Sequence, residues 1–258
     1  MSTWNSDPFF QYPRNTVKTS EGDVEMPIMY YDSSQVMAFF WVDLEKAKPL
    51  VQADLDVVSF GGKALAGISF YEYRETSIGS YNEVGVAIAV LPKGAKVPRF
   101  PLLSLMKDLD KTEIGLYIID LPVTTPAACA AGKEIWGLPK FVTGIDFDLN
   151  KRDFSGTVYS PEGKEPIVKL EGSFGLGIPC SVIDLALYSN YNDEMLRALV
   201  NIRSKGKLSL AGSIKATLGN KSHPMAQRLA SLGIDNAKPA FLISTDRLQL
   251  RLNSGAII

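Results

Sequence analysis

Short apolar runs that alternate with polar positions and break at Gly, Asn, Asp or Pro recur along most of this chain, and they restrict its fold more than any other feature. Gly67 to Arg74 (GISFYEYR) is aromatic-rich and roughly alternating, and Tyr81 to Leu91 (YNEVGVAIAVL) follows a Ser77-Ile78-Gly79-Ser80 turn. The two read as a β-hairpin. Leu116 to Val123, Phe141 to Leu149, Phe154 to Tyr159 and Pro166 to Phe174 read as further short strands. Ser181 to Tyr188, part of Leu196 to Leu210, and Ala240 to Leu252 complete the set. Many short strands with few helices between them predict an antiparallel barrel or sandwich rather than a parallel sheet. Helical signals are confined to three places. Asp43 can cap Leu44 to Gln52, Thr125-Pro126 starts a helix that Gly137 stops, and Pro224 to Leu232 forms a third. The expected class is therefore α+β and β-rich: an antiparallel closed β-barrel with a few peripheral helices.

The 258 residues are long enough for a substantial core, and no Pro/Ser-rich linker, charge block or low-complexity tract divides them. A single domain over residues 1–258 is expected. With 27 basic and 28 acidic side chains the net charge is −1, which gives no general attraction to nucleic acid or anionic membrane. No apolar run approaches the roughly 20 residues of a membrane span. The first residues, MSTWNSDPFFQYPRN, lack a basic region followed by an apolar core, so a cytoplasmic location is expected. Cys129 and Cys180 form no disulfide framework and fit a reducing compartment.

Histidine supply narrows the chemistry. His223 is the only histidine, it precedes Pro224 at a helix start, and no nucleophile-elbow pattern accompanies it. A histidine-based metal site is excluded on the same ground, so neither metal nor organic cofactor is expected. Gly219-Asn220-Lys221-Ser222 superficially resembles a phosphate loop, but Asn220 interrupts the required Gly-Lys pair. Any reaction must rest on Lys, Glu, Asp, Tyr or Arg. Lys140 stands out among these, because it follows a helix stop (Gly137) and a proline and begins an apolar strand. A lysine held out of water loses preference for its charged form, and the neutral amine is a nucleophile. Lowering its pKa from roughly 10.4 to near 7 needs roughly 4 to 5 kcal/mol of differential destabilisation. Lys133, within the predicted helix, reads as a solvated side chain. Tyr81 and Glu83, two residues apart on a strand, share one face. If that face is the barrel interior, a phenol and a carboxylate converge in an apolar cavity and can move protons. If it is the solvent face of an edge strand, they do neither, and the flanking apolar residues do not decide between the two.

The segment Gly132-Lys133-Glu134-Ile135 through Pro139-Lys140 resembles the Gly-Arg-Glu-Leu … Pro-Lys segment that carries the Schiff-base lysine of acetoacetate decarboxylases. Ser80-Tyr81-Asn82-Glu83-Val84-Gly85 is similar to that family's Tyr-x-Glu segment, whose glutamate lines the active site. The resemblance implies an imine-forming role for Lys140, an acid–base role for Glu83, and a substrate site flanked by Tyr81, Trp136, Leu138 and Phe141. It also implies a homo-oligomer. Three departures accompany it. The family's decarboxylases have a second lysine after the nucleophile where this chain has Phe141, and a tyrosine where it has Leu138. Their N-terminal arginine has no counterpart between Gly22 and Tyr31, and their second acidic position falls near Ile68. With no adjacent ammonium, desolvation alone is expected to activate Lys140.

Decarboxylation of a β-keto acid without cofactor is the first functional expectation. Lysine-dependent aldolase or dehydratase chemistry on 2-oxo acids or other carbonyl compounds is the alternative. A non-catalytic barrel that binds small molecules is a third reading, from a different class of protein.

Overall fold

A computed structural model describes residues 3–98 and 112–258. The single-domain expectation also spans residues 1–2 and 99–111, which lie outside the described residues. Seven strands close on one another: β1 (Ile28–Asp43), β2 (Lys63–Thr76), β3 (Tyr81–Pro92), β4 (Gly115–Val123), β5 (Leu185–Tyr191), β6 (Glu194–Arg203) and β7 (Phe241–Leu252). β7 completes the circuit by pairing with β1 on one edge and β6 on the other.

The barrel is mixed, which corrects the antiparallel expectation. β4 and β5 run parallel, in register at Leu116 with Leu187 and Tyr117 with Tyr188. Hairpins force antiparallel neighbours, whereas a long excursion between strands allows a parallel return. Residues 124–184 form that excursion, containing a helix and most of a second sheet. The second sheet has four strands, in the order Lys215–Leu218, Pro166–Ser173, Asp153–Tyr159 and Ile145–Leu149. It covers the outside of β1–β3, where Val36, Ala38, Ile68, Phe70, Val84 and Val86 pack with Phe154, Val158, Val168 and Leu170. Phe70 and Phe154 meet edge to face with ring centroids 5.4 Å apart. Strands buried on both faces read as near-continuous apolar runs, which is why Tyr81–Pro92 shows little alternation.

The helices follow their caps. The Asp43 carboxylate accepts from the N–H groups of Glu45 and Lys46 and starts α1 (Leu44–Ala47), which ends earlier than expected in a 3-10 turn, Lys48–Leu50. In α2 (Pro126–Trp136) the Thr125 hydroxyl accepts from Ala128 N–H, and Gly137 terminates the helix in the left-handed region at φ 64°. Leu138 N–H donates to Gly132 O and Gly137 N–H to Lys133 O, closing the last turn. α3 (Pro224–Ser231) is capped by His223, whose Nδ1 accepts from Met225 N–H at 3.2 Å. The only histidine is thus a helix cap.

Candidate active site

The left-handed Gly137 turns the chain sharply out of α2, and Leu138 and Pro139 carry it alongside the end of β4. There Lys140–Val142 forms a three-residue strand parallel to β4, with Lys140 opposite Leu121. Alternation in that strand sends Lys140 into the barrel and Phe141 away from it. The aliphatic stem of Lys140 crosses directly over Gly132 of α2. A Cβ added at Gly132 would come within 2.3 Å of the lysine Cδ and Cε, so only glycine leaves room for this path.

Lys140 is 7% exposed and Glu83 8%. Lys140 Nζ donates to Glu83 Oε2 at 2.6 Å, and Glu83 Oε1 accepts from the Tyr73 hydroxyl at 3.2 Å. The Tyr81 and Tyr30 hydroxyls are 2.9 Å apart, and Lys140 Nζ stands 5.8 Å from the centre of the Tyr81 ring. Burial pushes the Tyr30, Tyr71 and Tyr73 phenols well above the usual tyrosine range, and the Glu83 charge pushes the same way. Burial does the same to Tyr81, aided by Tyr30 and Glu83. These phenols therefore remain neutral hydrogen-bond donors. Among the described residues no group of three His, Cys, Asp or Glu side chains is arranged to hold a metal ion.

The lysine–glutamate pair forms part of the wall of a cavity of about 80 Å³ inside the barrel. Gln35, Ser69, Tyr71 and Tyr73 from β1 and β2 also contribute, as does Leu138. Of the residues singled out in the sequence, Lys140, Glu83 and Leu138 thus meet at one cavity, with Tyr81 directly behind them. Trp136 does not reach the cavity; it is fully buried and its Nε1 donates to Asn253 O at 3.1 Å. Phe141 lies half-buried outside the barrel, its ring centre 5.4 Å from that of His223. Both placements depart from the substrate-site expectation, because one side chain packs beneath the helix end and the other occupies the opposite face of the lysine strand. Lys133 is exposed on α2. The carboxylate contact also revises the environment expected for Lys140: it is buried, but not among apolar groups alone.

The sequence reading missed Tyr71, Tyr73 and Gln35. A signal for the first two was present. Both belong to the predicted strand Gly67 to Arg74, and the observed pairing sets Tyr71 opposite Glu83 and Tyr73 opposite Tyr81. Gln35 lies opposite Tyr71 on a strand that was not foreseen.

The closed, mixed β-barrel is the architecture to which the comparisons point. The family description "Acetoacetate decarboxylase (ADC)" matches residues 11–199, and the chain belongs to that family. No curated protein matches it in sequence. A solved acetoacetate decarboxylase from Legionella pneumophila superposes with a TM-score of 0.66 at 15% identity, covering 98% of this chain and 94% of the other. A second acetoacetate decarboxylase structure gives 0.63 at 16% identity, with 90% and 89% covered. The enduracididine biosynthesis enzyme MppR, complexed with pyruvate, gives 0.60 at 13% identity, covering 90% of each chain. At these identities the superpositions establish the fold.

Proposed function

We propose that this protein is a carbon–carbon lyase in which Lys140 forms a Schiff base with a small keto acid. The observation that carries the reading is the 2.6 Å contact between Lys140 Nζ and Glu83 Oε2 at the wall of the barrel cavity. A nucleophile and its base within hydrogen-bond reach are the minimal requirement for this chemistry. Glu83 takes a proton from Lys140, and the free amine adds to the substrate carbonyl carbon. The resulting carbinolamine loses its hydroxyl as water, leaving an iminium ion. For a β-keto acid, the bond to the carboxylate carbon then breaks. CO₂ departs, and the bonding electrons move into the iminium to give an enamine. Glu83, having given its proton to the departing water, takes up another from solvent and delivers it to the enamine carbon; this restores an iminium, and water hydrolyses it to free Lys140 and a ketone. Tyr73, donating to Glu83, holds the carboxylate in place.

One observation favours a second outcome on the same lysine. Among the described residues, Lys140 is the only cation in the cavity wall, so no guanidinium faces a substrate carboxylate. The MppR fold is also known with the condensation product of pyruvate and imidazole 4-carboxaldehyde. Aldol or dehydration chemistry through the same iminium is therefore the alternative, and CO₂ release measured against carbon–carbon bond formation separates the two.

The test is borohydride reduction in the presence of β-keto and 2-oxo acids, followed by peptide mass mapping. Lys140 is expected to carry the adduct, Lys140→Ala to abolish it, and Lys133→Ala to leave it intact. An adduct on another lysine, or equal loss in both variants, would refute the assignment.

A further inference from the structure

The cavity has two unlike walls. Apart from Lys140, the polar groups reach it from β1, β2 and β3, whereas β4 to β7 contribute only Leu, Ile and Val side chains. Leu116, Leu185, Leu187, Ile202 and Leu252 of this second wall are half-buried and form its rim. A cavity of about 80 Å³ accommodates roughly five to eight water-sized groups. A β-keto acid head nearly fills that space, so any longer chain must run out along the aliphatic rim.

Gln35 marks the other end. It is 1% exposed, lines the cavity, and its Nε2 has no hydrogen-bond partner. A buried amide donor without an acceptor is unfavourable, so a ligand that supplies an acceptor is favoured there. Gln35, Tyr71 and Glu83 face one another across three adjacent strands. Two inter-strand steps of roughly 4.8 Å separate the Gln35 and Glu83 backbones, and their side chains converge on the same interior.

We propose that the substrate is a β-keto acid bearing an aliphatic chain, with its carbonyl at Lys140, its carboxylate received by Gln35 Nε2, and its chain along the β4–β7 wall. This rests on the Schiff-base reading above. A neutral amide suits the task better than a guanidinium would. It orients the carboxylate without strongly stabilising the charged ground state, from which the negative charge must leave as CO₂.

The experiment uses the intact protein and β-keto acids with methyl, propyl and pentyl chains, and measures both borohydride labelling and CO₂ release. The expected result is a rise in kcat/KM of up to about fourfold per added methylene until the chain clears the rim. Leu187→Asn should compress the pentyl-to-methyl ratio. Gln35→Leu should raise KM roughly tenfold with all three acids while kcat holds or rises, because the lost hydrogen bond is to the ground state. Its melting temperature should equal or exceed that of the wild type, since a buried donor without a partner has been removed, and Gln35→Met serves as a second isosteric check. Labelling of Lys140 with flat or falling chain-length dependence overturns the chain assignment and leaves the lysine chemistry standing. An unchanged KM in both Gln35 variants overturns the carboxylate assignment. Absence of any Lys140 adduct across the panel overturns the Schiff-base reading, and this inference with it.

Discussion

Gly132→Ala separates stability from chemistry in one substitution. Within a helix the change favours folding by about 1 kcal/mol, since alanine loses less backbone freedom than glycine. The new Cβ, however, falls 2.3 Å from Lys140 Cδ and Cε, where carbon atoms pack comfortably only at roughly 3.5–4.0 Å. The lysine stem must therefore move by roughly 1.2 Å or more, and overpacking of this kind costs about 1–3 kcal/mol. The two effects nearly offset, so the melting temperature should change by only a few degrees. The amine, by contrast, is drawn from its place against Glu83. A displacement of about 1 Å at a reacting atom lowers rates by roughly a hundredfold. Thermal unfolding by circular dichroism and the rate of borohydride-trapped adduct formation read the two effects independently. Wild-type trapping in a folded Gly132→Ala protein would refute the path drawn for the lysine stem.

Other perturbations bear on neighbouring parts of the structure. Gly137→Ala places a β-carbon in the left-handed region and within 1.9 Å of the Asn190 carbonyl oxygen. A loss of at least about 2 kcal/mol is expected in urea denaturation, since neither backbone can yield cheaply. Glu83→Gln leaves the buried Lys140 ammonium without its anion, and the midpoint of the same titration should report a loss of about 3–5 kcal/mol. The double variant Lys140→Met/Glu83→Gln should recover most of it, as a double-mutant cycle would show. Tyr30, Tyr71, Tyr73 and Tyr81 have phenols raised above their unfolded value of roughly 10, so their contribution to stability is complete below that pH and declines as pH rises beyond it. Alkaline spectrophotometric titration should show these four ionising only as the protein unfolds, and phenolate signal from all ten tyrosines in a folded protein would contradict their burial.

What could be read in the sequence, and what could not, follows from where the determining forces lie. The limits of α2 were legible because Thr125, Pro126 and Gly137 act locally, through a cap, a preset φ and a left-handed turn. Lys140 was legible because those same residues place it. β1 was not. Its centre, Asp32-Ser33-Ser34-Gln35, combines residues that rarely favour strands. Only distant partners hold it extended: Arg74 donates to both Asp32 oxygens, at 2.8 and 2.7 Å, and to the Ser34 hydroxyl. Ladder irregularities between Tyr30 and Ser33 break the alternation further. Gln35 was lost with its strand. The predicted run Phe141 to Leu149 proved to be two strands, one along β4 and one in the outer sheet. Its single apolar pattern carries no record that the chain changes partners at Thr143 and Gly144. The parallel β4–β5 pairing was equally invisible, since direction is set by the intervening excursion.

The parallel β4–β5 seam also bears on how barrel and lysine depend on each other. Only two residue pairs join β4 to β5 before the strands part. Beyond them the same edge of β4 is taken by Lys140–Val142, paired with Leu121–Val123. The segment bearing Lys140 therefore serves as a stave of the wall, and its backbone bonds seal an edge that would otherwise stand open. Strand pairing and amine placement cannot be altered separately here. A change that loosens residues 140–142 opens the barrel at the point where the amine enters it.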